Sequence, residues 1–102
     1  MREERLLAYL KAVCPGRACR AGGTELERVL GISAADLRKA VHRLRRRGEP
    51  IASDRNGYFY AQIAGEVYAT IRQLKQMAIV LEAAIRGLEH ALDRFTRGGG
   101  PP

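Results

Sequence analysis

The chain has 102 residues, 46% of them hydrophobic, which is enough for one domain with a modest core and excludes a fully disordered protein. Its formal charge is +7, and residues 1–61 hold 13 Lys and Arg against 7 Asp and Glu, a difference of +6. Residues 62–102 hold 5 and 4, a difference of +1. The basic first part therefore predicts a polyanionic partner, with nucleic acid ahead of an anionic membrane.

The first predicted helix runs from Glu3 to Val13. Its apolar residues recur at helical spacing and form one stripe, made of Leu6, Leu7, Leu10 and Val13. Pro15 and Gly16 end this helix. The loop that follows, CPGRACRAGG, is rich in glycine and contains no predicted regular element.

The second predicted helix begins at Thr24, and Glu27 follows three residues later in a capping-box pattern. Its inward-facing residues are Leu26, Val29 and Leu30. Gly31 lies just past its end, where a left-handed residue is common.

The third predicted helix begins after Ser33, an N-cap residue, with Asp36 in its first turn. Its buried stripe consists of Leu37, Ala40, Val41 and Leu44. Gly48 ends the helix, and Pro50 prevents its return.

Two short extended stretches follow, Ile51 to Ser53 and Tyr58 to Ala61. The Asn-Gly pair between them predicts a hairpin with a type I′ turn. Alternation along the second strand places Tyr58 and Tyr60 on one side and Phe59 on the other, and we expect these rings to pack within the hairpin and core.

Residues 24–61 read TELERVLGISAADLRKAVHRLRRRGEPIASDRNGYFYA, in which LGIS, LRRRGEPI and GYFYA occur in order. The segment resembles the winged helix-turn-helix domain at the start of the biotin operon repressor and in related bacterial and phage regulators. The resemblance implies a mainly α-helical DNA-binding domain in residues 1–61, with the small β-hairpin as its wing and the third helix reading DNA. Ala34 stands where many relatives carry Arg, so no DNA contact is carried over to that position.

The outward face of the third helix is the candidate DNA surface. At about 100° per residue, the apolar stripe directs a second set of side chains away from the core. The residues assigned to base reading are Ala35, Arg38, Lys39 and His42. Arg38 is the candidate for a bidentate contact to guanine.

Phosphate contacts, which position a protein without reading sequence, are assigned to Arg43, Arg45, Arg46 and Arg47. Ser33 is assigned to a phosphate through its hydroxyl or the nearby helix amides. In the wing, Arg55 and Asn56 are assigned to the backbone or minor groove. The alternative is a solvated basic face that has no partner.

After Ala61 the apolar period changes to alternating steps of 4 and 3. Nine residues form this heptad seam: Val67, Ile71, Leu74, Ala78, Leu81, Ile85, Leu88, Leu92 and Phe95. The pattern predicts a dimerisation helix within residues 62–97, about 45 Å long from Gly65 to Phe95, and the last five residues, 98–102, are expected to be disordered.

A helix this long needs a partner helix, and a second copy of the chain is the simplest one. Two alternatives stay open: the helix folds back over its own domain, or more than two helices associate, because Met77, Ile79 and Val80 widen the apolar surface. The e positions of the heptad lack charged g partners, so this pattern does not give the chain orientation.

No catalytic or cofactor motif is present, and no enzyme activity or cofactor is expected. Cys14 and Cys19 are spaced unlike a zinc knuckle, and with His42 and His90 they make no four-ligand metal site. No apolar run reaches the roughly 20 residues of a membrane span, and the N-terminus lacks the apolar stretch of a signal peptide. We therefore expect a cytoplasmic, nucleoid-associated protein.

The sequence favours a dimeric, sequence-specific regulator of transcription that binds double-stranded DNA, most simply a repressor. One alternative is an architectural or replication and segregation protein that bridges DNA sites. Another is a winged-helix module that binds an acidic protein. The sequence indicates no small-molecule effector.

Overall fold

The computed structural model describes residues 2–97, so the tail at 98–102 lies outside the described residues. The chain is mainly helical, with a small two-stranded antiparallel hairpin and a long C-terminal helix. In chain order the elements are α1 (Arg2–Val13), a 3₁₀ turn (Arg17–Cys19), α2 (Gly23–Leu30), α3 (Ala34–Arg46), β1 (Ile51–Asp54), β2 (Gly57–Tyr60) and α4 (Ala64–Arg97). Two compact units result, the first ending at Thr70 and the second beginning at Ile71.

The core of the first unit lies between α1, α2, α3 and the hairpin. Its largest fully buried side chains are Phe59, Leu6, Leu10, Leu26, Leu44 and Cys14. Cys14, which follows Leu10 by four residues, takes the place predicted for Val13, and Val13 is half exposed. Val29 was also predicted to face inward but is 38% exposed, because Leu26 and Leu30 alone fill the inward face of α2.

The start of α2 differs from the prediction. The helix begins at Gly23 with Gly22 as its N-cap, no side chain caps it, and Thr24 is exposed within its first turn. The reason is tertiary: Ala21 forms a bridge with Tyr58, which holds the chain extended up to Gly22. The capping-box pattern was therefore not used.

Both ends of α3 follow the sequence signals. Ser33 Oγ accepts the N–H of Asp36 at 3.1 Å, and Gly31 before it is left-handed with φ of 66°. At the other end the N–H groups of Gly48 and Glu49 donate to the carbonyls of Arg45 and Leu44, both at 3.0 Å. Gly48 has φ of 90°, so the helix closes in a Schellman motif.

The hairpin turn is not of type I′. Asp54 pairs with Gly57, so the loop consists of Arg55 and Asn56, and no described residue other than glycine has a positive φ. The Asp54 carboxylate accepts the N–H of Asn56 at 2.8 Å, which favours an ordinary turn with Asp first and Gly last. Gly57 serves as a strand residue instead of a turn residue.

The loop between α1 and α2, predicted to be irregular, is fastened to β2. Ala21 and Tyr58 exchange backbone hydrogen bonds at 2.9 Å in both directions. Gly16 N–H donates to Tyr60 O, and Tyr60 N–H donates to Cys14 O, both at 2.8 Å. This pairing covers the outer edge of β2 and gives the short hairpin a third strand-like neighbour.

Gly57 is where that loop approaches the hairpin most closely. A Cβ built on Gly57 would collide with the backbone of Ala21, lying 2.7 Å from its carbonyl carbon, and its φ is 155°. We expect Gly57→Ala to lower the free energy of unfolding by about 3 kcal/mol or more, since neither backbone segment moves easily. Gly48→Ala is the control, because Gly48 also has a positive φ but meets nothing within 4 Å, so its cost is the backbone strain alone, about 1–2 kcal/mol. Equal losses in urea unfolding would contradict the close approach.

The first turns of α4 belong to the first unit. Thr70 is buried, and its Oγ1 accepts the N–H of Ser53 at 3.1 Å. The Glu66 carboxylate accepts N–H groups from Gln62 and Arg17 at 2.8 and 3.0 Å, and these bonds lower its pKa. α4 is about 50 Å long at 1.5 Å per residue. No helix among the described residues has both the length and the apolar character to cross a membrane.

Candidate nucleic-acid interface

The two faces of α3 separate as predicted. Leu37, Ala40, Val41 and Leu44 are buried against the rest of the first unit. The residues that were assigned to the interface and are exposed on α3 or at its C-cap are Ala35, Arg38, Lys39, His42, Arg43, Arg46 and Arg47. The first unit thus presents one face of α3 that is rich in cations and is not packed against the core.

Three cations on this face have no carboxylate partner among the described residues. Arg38, Lys39 and Arg46 take part in no ion pair within residues 2–97. At about 100° per residue they lie within an arc of about 100°, which also contains Ala35 and His42. The major groove of B-DNA is about 12 Å wide and can admit an α-helix.

Arg43 and Arg47 differ because α1 supplies each with a carboxylate. Arg43 lies 3.8 Å from Glu3, and Arg47 donates to Glu4 at 2.7 Å. The hydrogen bond from Arg47 lowers the pKa of Glu4 below its usual value. Both arginines remain about half exposed, so a phosphate would compete with these carboxylates for them. The two glutamates were not part of the sequence assignment, although their place in the first turn of α1 was visible.

Arg45 points away from the exposed face and toward β1. Its Nε donates to Ile51 O at 2.8 Å and its guanidinium to Ser53 Oγ at 3.1 Å. Burial lowers the pKa of this arginine. Arg45 therefore joins α3 to the hairpin, whereas the sequence had assigned it to a phosphate.

Arg45→Ala is expected to reduce stability, because it removes two hydrogen bonds from a charged, partly buried donor. We expect the free energy of unfolding to fall by about 1–3 kcal/mol. The neighbouring Arg46→Ala removes an exposed side chain with no ion pair, so its effect on stability should stay within about 0.5 kcal/mol. Denaturant titration of both variants checks this difference, and similar losses would show that Arg45 does not hold the hairpin.

The hairpin loop carries a second set of polar side chains. Arg55 and Asn56 are both exposed at its tip. Asp54 beside them lies 3.8 Å from Arg17 and 3.6 Å from Arg20. Two guanidiniums therefore lie around one carboxylate beside the loop, and Arg55 adds a further cation at its tip. Arg17 and Arg20 were missed in the sequence because the preceding loop showed no sign of pairing with the hairpin.

The N-terminal end of α3 is less basic. The Ser33 hydroxyl is used as a hydrogen-bond acceptor for Asp36 N–H, and the Asp36 carboxylate lies 3.4 Å from Arg2. Ser33 and Ala35 are exposed there. This end therefore offers small side chains and backbone amides, with one carboxylate that Arg2 partly neutralises.

The second unit presents an apolar surface to solvent. Of the nine seam residues, seven are exposed in the single chain: Ile71, Ala78, Leu81, Ile85, Leu88, Leu92 and Phe95. Leu74 is partly exposed, and Val67 packs against the core of the first unit. Contiguous exposed apolar surface of this kind is typical of an interaction site.

The two cysteines differ in solvent exposure. Cys14 is buried, which raises the pKa of its thiol, and Cys19 is exposed. Within residues 2–97, no three His, Cys, Asp or Glu side chains are grouped in a way that would hold a metal ion.

No known protein family, curated protein sequence or solved structure matches the chain.

Proposed function

We propose that the protein is a dimeric, sequence-specific regulator of transcription that binds double-stranded DNA, most simply as a repressor. In this proposal residues 2–61 are a winged helix-turn-helix domain, α3 is the recognition helix and the hairpin is the wing. Supporting this reading, α2 and α3 are joined by a short turn with left-handed Gly31, and the hairpin directly follows α3.

The observation that carries the proposal is the exposed arc of α3 that holds three cations without ion pairs. Arg38, Lys39 and Arg46 are exposed without ion pairs among the described residues, on a helix whose opposite face is buried. Desolvated phosphates and guanine edges are the ligands that such a surface suits. Arg55 and Asn56 at the hairpin tip supply the second contact of this binding mode.

A binding experiment with mixed-sequence and selected duplexes tests the proposal. Bound sequences are first selected from random duplex DNA, and affinity is then measured by fluorescence anisotropy for the selected and a scrambled duplex. The proposal expects a palindromic or directly repeated site and tighter binding to it by about a thousandfold. Absence of binding to any duplex in dilute buffer would refute it, because phosphate contacts alone give association at low salt.

The footprint on DNA separates a repressor from the architectural alternative. A regulator protects one bounded site, while a bridging protein spreads along the duplex or joins two of them. Arg38→Ala should relax the selected sequence at one position, while Arg46→Ala should weaken binding to all sequences alike.

A further inference from the structure

We infer that α4 pairs with α4 of a second copy in the antiparallel orientation, with a two-fold axis at the level of Ala83. This inference rests on the proposed self-association and not on the proposed binding of DNA. It is carried by three features of residues 71–95: which seam residues are exposed, how their sizes match, and where the flanking charges lie.

The exposed part of the seam is symmetric about Ala83. Val67 packs on the core of the first unit, so the seam that is available to a partner runs from Ile71 to Phe95. An antiparallel pair centred at Ala83 gives every one of these residues a partner on the second copy. The layers are Ile71 with Phe95, Leu74 with Leu92, Ala78 with Leu88, and Leu81 with Ile85.

Side-chain sizes favour the same arrangement. Ala78 is the one small residue among the exposed a and d positions, and antiparallel pairing sets it opposite Leu88. A parallel pair in register would set Ala78 against Ala78 of the second copy and leave that layer underfilled. Underfilled layers lose contacts and destabilise a packed interface.

The flanking residues favour it as well. In a parallel pair the e residues Lys75, Glu82 and Glu89 face g residues, and Met77, Ala84 and Ala91 carry no charge. In the antiparallel pair e faces e, so Lys75 meets Glu89 of the second copy, twice by symmetry. Near the axis Glu82 lies opposite Glu82 of the second copy. Arg86 of the same chain lies 3.9 Å from Glu82 and offsets the repulsion between the two carboxylates.

The other flank is then lined by small or flexible side chains. Met77 lies opposite Ala91 of the second copy, and Ala84 lies opposite Ala84. These apolar g residues, which exceed what a simple seam needs, let the two helices approach closely on that side. The antiparallel pair therefore uses both flanks, one for charge pairing and one for packing.

Cysteine cross-linking in the full chain tests the orientation. The background is Cys19→Ser, since Cys14 is buried. Ala78→Cys and Leu88→Cys proteins are oxidised separately and as an equimolar mixture. We expect a disulfide-linked dimer only in the mixture, because neither position faces itself in an antiparallel pair. Cross-linking of either variant alone would show a parallel pair and overturn the inference.

A third variant tests the register. Mixing Ala78→Cys with Leu81→Cys gives no cross-link for an axis at Ala83, because the two residues are then about 10 Å apart along the helices. A cross-link in this mixture that exceeds the one with Leu88→Cys would overturn the assigned register. Sedimentation equilibrium of each variant confirms that it still dimerises before oxidation.

A distance measurement covers the case in which a cysteine in the seam weakens the dimer. A spin label at Ala69→Cys, an exposed position, should lie about 42 Å along the axis from its copy, whereas a parallel pair would bring the two labels within about 20 Å. A short distance overturns the inference. A monomer at high concentration overturns self-association with it, while DNA binding of the same sample is judged separately by anisotropy.

Discussion

Replacing Arg38, Lys39 and Arg46 together by alanine should weaken binding to duplex DNA by about a hundredfold at physiological salt. Each contact between one of these side chains and DNA contributes about 1 kcal/mol or more, and three such losses combine to about two orders of magnitude. The three side chains are exposed and form no ion pair within the described residues, so the fold should be retained. Fluorescence anisotropy gives the affinity, and circular dichroism checks the helix content.

A triple variant elsewhere in the protein is the matched control. Lys11 on α1 and Arg72 and Arg94 on α4 are exposed cations outside both proposed interfaces, and replacing them by alanine lowers the net charge by the same amount. Affinity for DNA should fall by less than about fivefold, as expected from long-range attraction alone. If both triple variants lost affinity equally, net charge and not the surface of α3 would account for binding.

Leu81→Asp should convert the dimer into a monomer. Leu81 is 62% exposed in the single chain but lies in the central layer of the proposed α4 pair, so two carboxylates would be buried beside the axis. The dissociation constant should rise by more than about a hundredfold, because burial of an unpaired charge costs several kcal/mol. Sedimentation velocity measures the change, and the unfolding midpoint of the first unit should stay constant.

Val80→Asp is the control that shows whether self-association depends on the heptad seam alone or also on the apolar residues outside it. Val80 is 59% exposed and adjacent in sequence, but it lies outside the heptad seam. A two-helix pair tolerates this change, and the dimer should persist. If Val80→Asp dissociates the protein as completely as Leu81→Asp does, more than two helices associate through the wider apolar surface.

The elements whose signals are local were predictable. The 3.6-residue stripe of α3, its cap at Ser33 and its left-handed end at Gly48 are all present. The long helix followed from an uninterrupted heptad pattern, which needs no knowledge of the remaining chain. In both cases a few neighbouring residues determine the outcome.

The features that depend on distant contacts were not predictable. The start of α2 at Gly23 is set by the pairing of Ala21 with Tyr58, and Gly57 is held as a strand residue against Ala21 instead of within the turn. A capping box and an Asn-Gly pair are weaker than those backbone hydrogen bonds. Sequence spacing alone shows neither of these contacts.

The candidate interface was predicted as a face but not residue by residue. Arg45 lies next to Leu44 on the helix, and whether it points to solvent depends on where β1 runs. Arg43 and Arg47 meet carboxylates on α1 that are about forty residues away in sequence. The sequence placed the cations on α3, while tertiary contacts decide which of them are free.

The salt dependence of DNA affinity tests the central claim most directly. For the unaltered protein, the logarithm of the association constant should fall linearly with the logarithm of salt concentration, and the triple α3 variant should show a slope that is smaller by about 2. That difference would count the phosphate that Arg46 neutralises in each protomer of the dimer. Equal slopes for the two proteins, or no association at the lowest salt, would contradict DNA binding through this face.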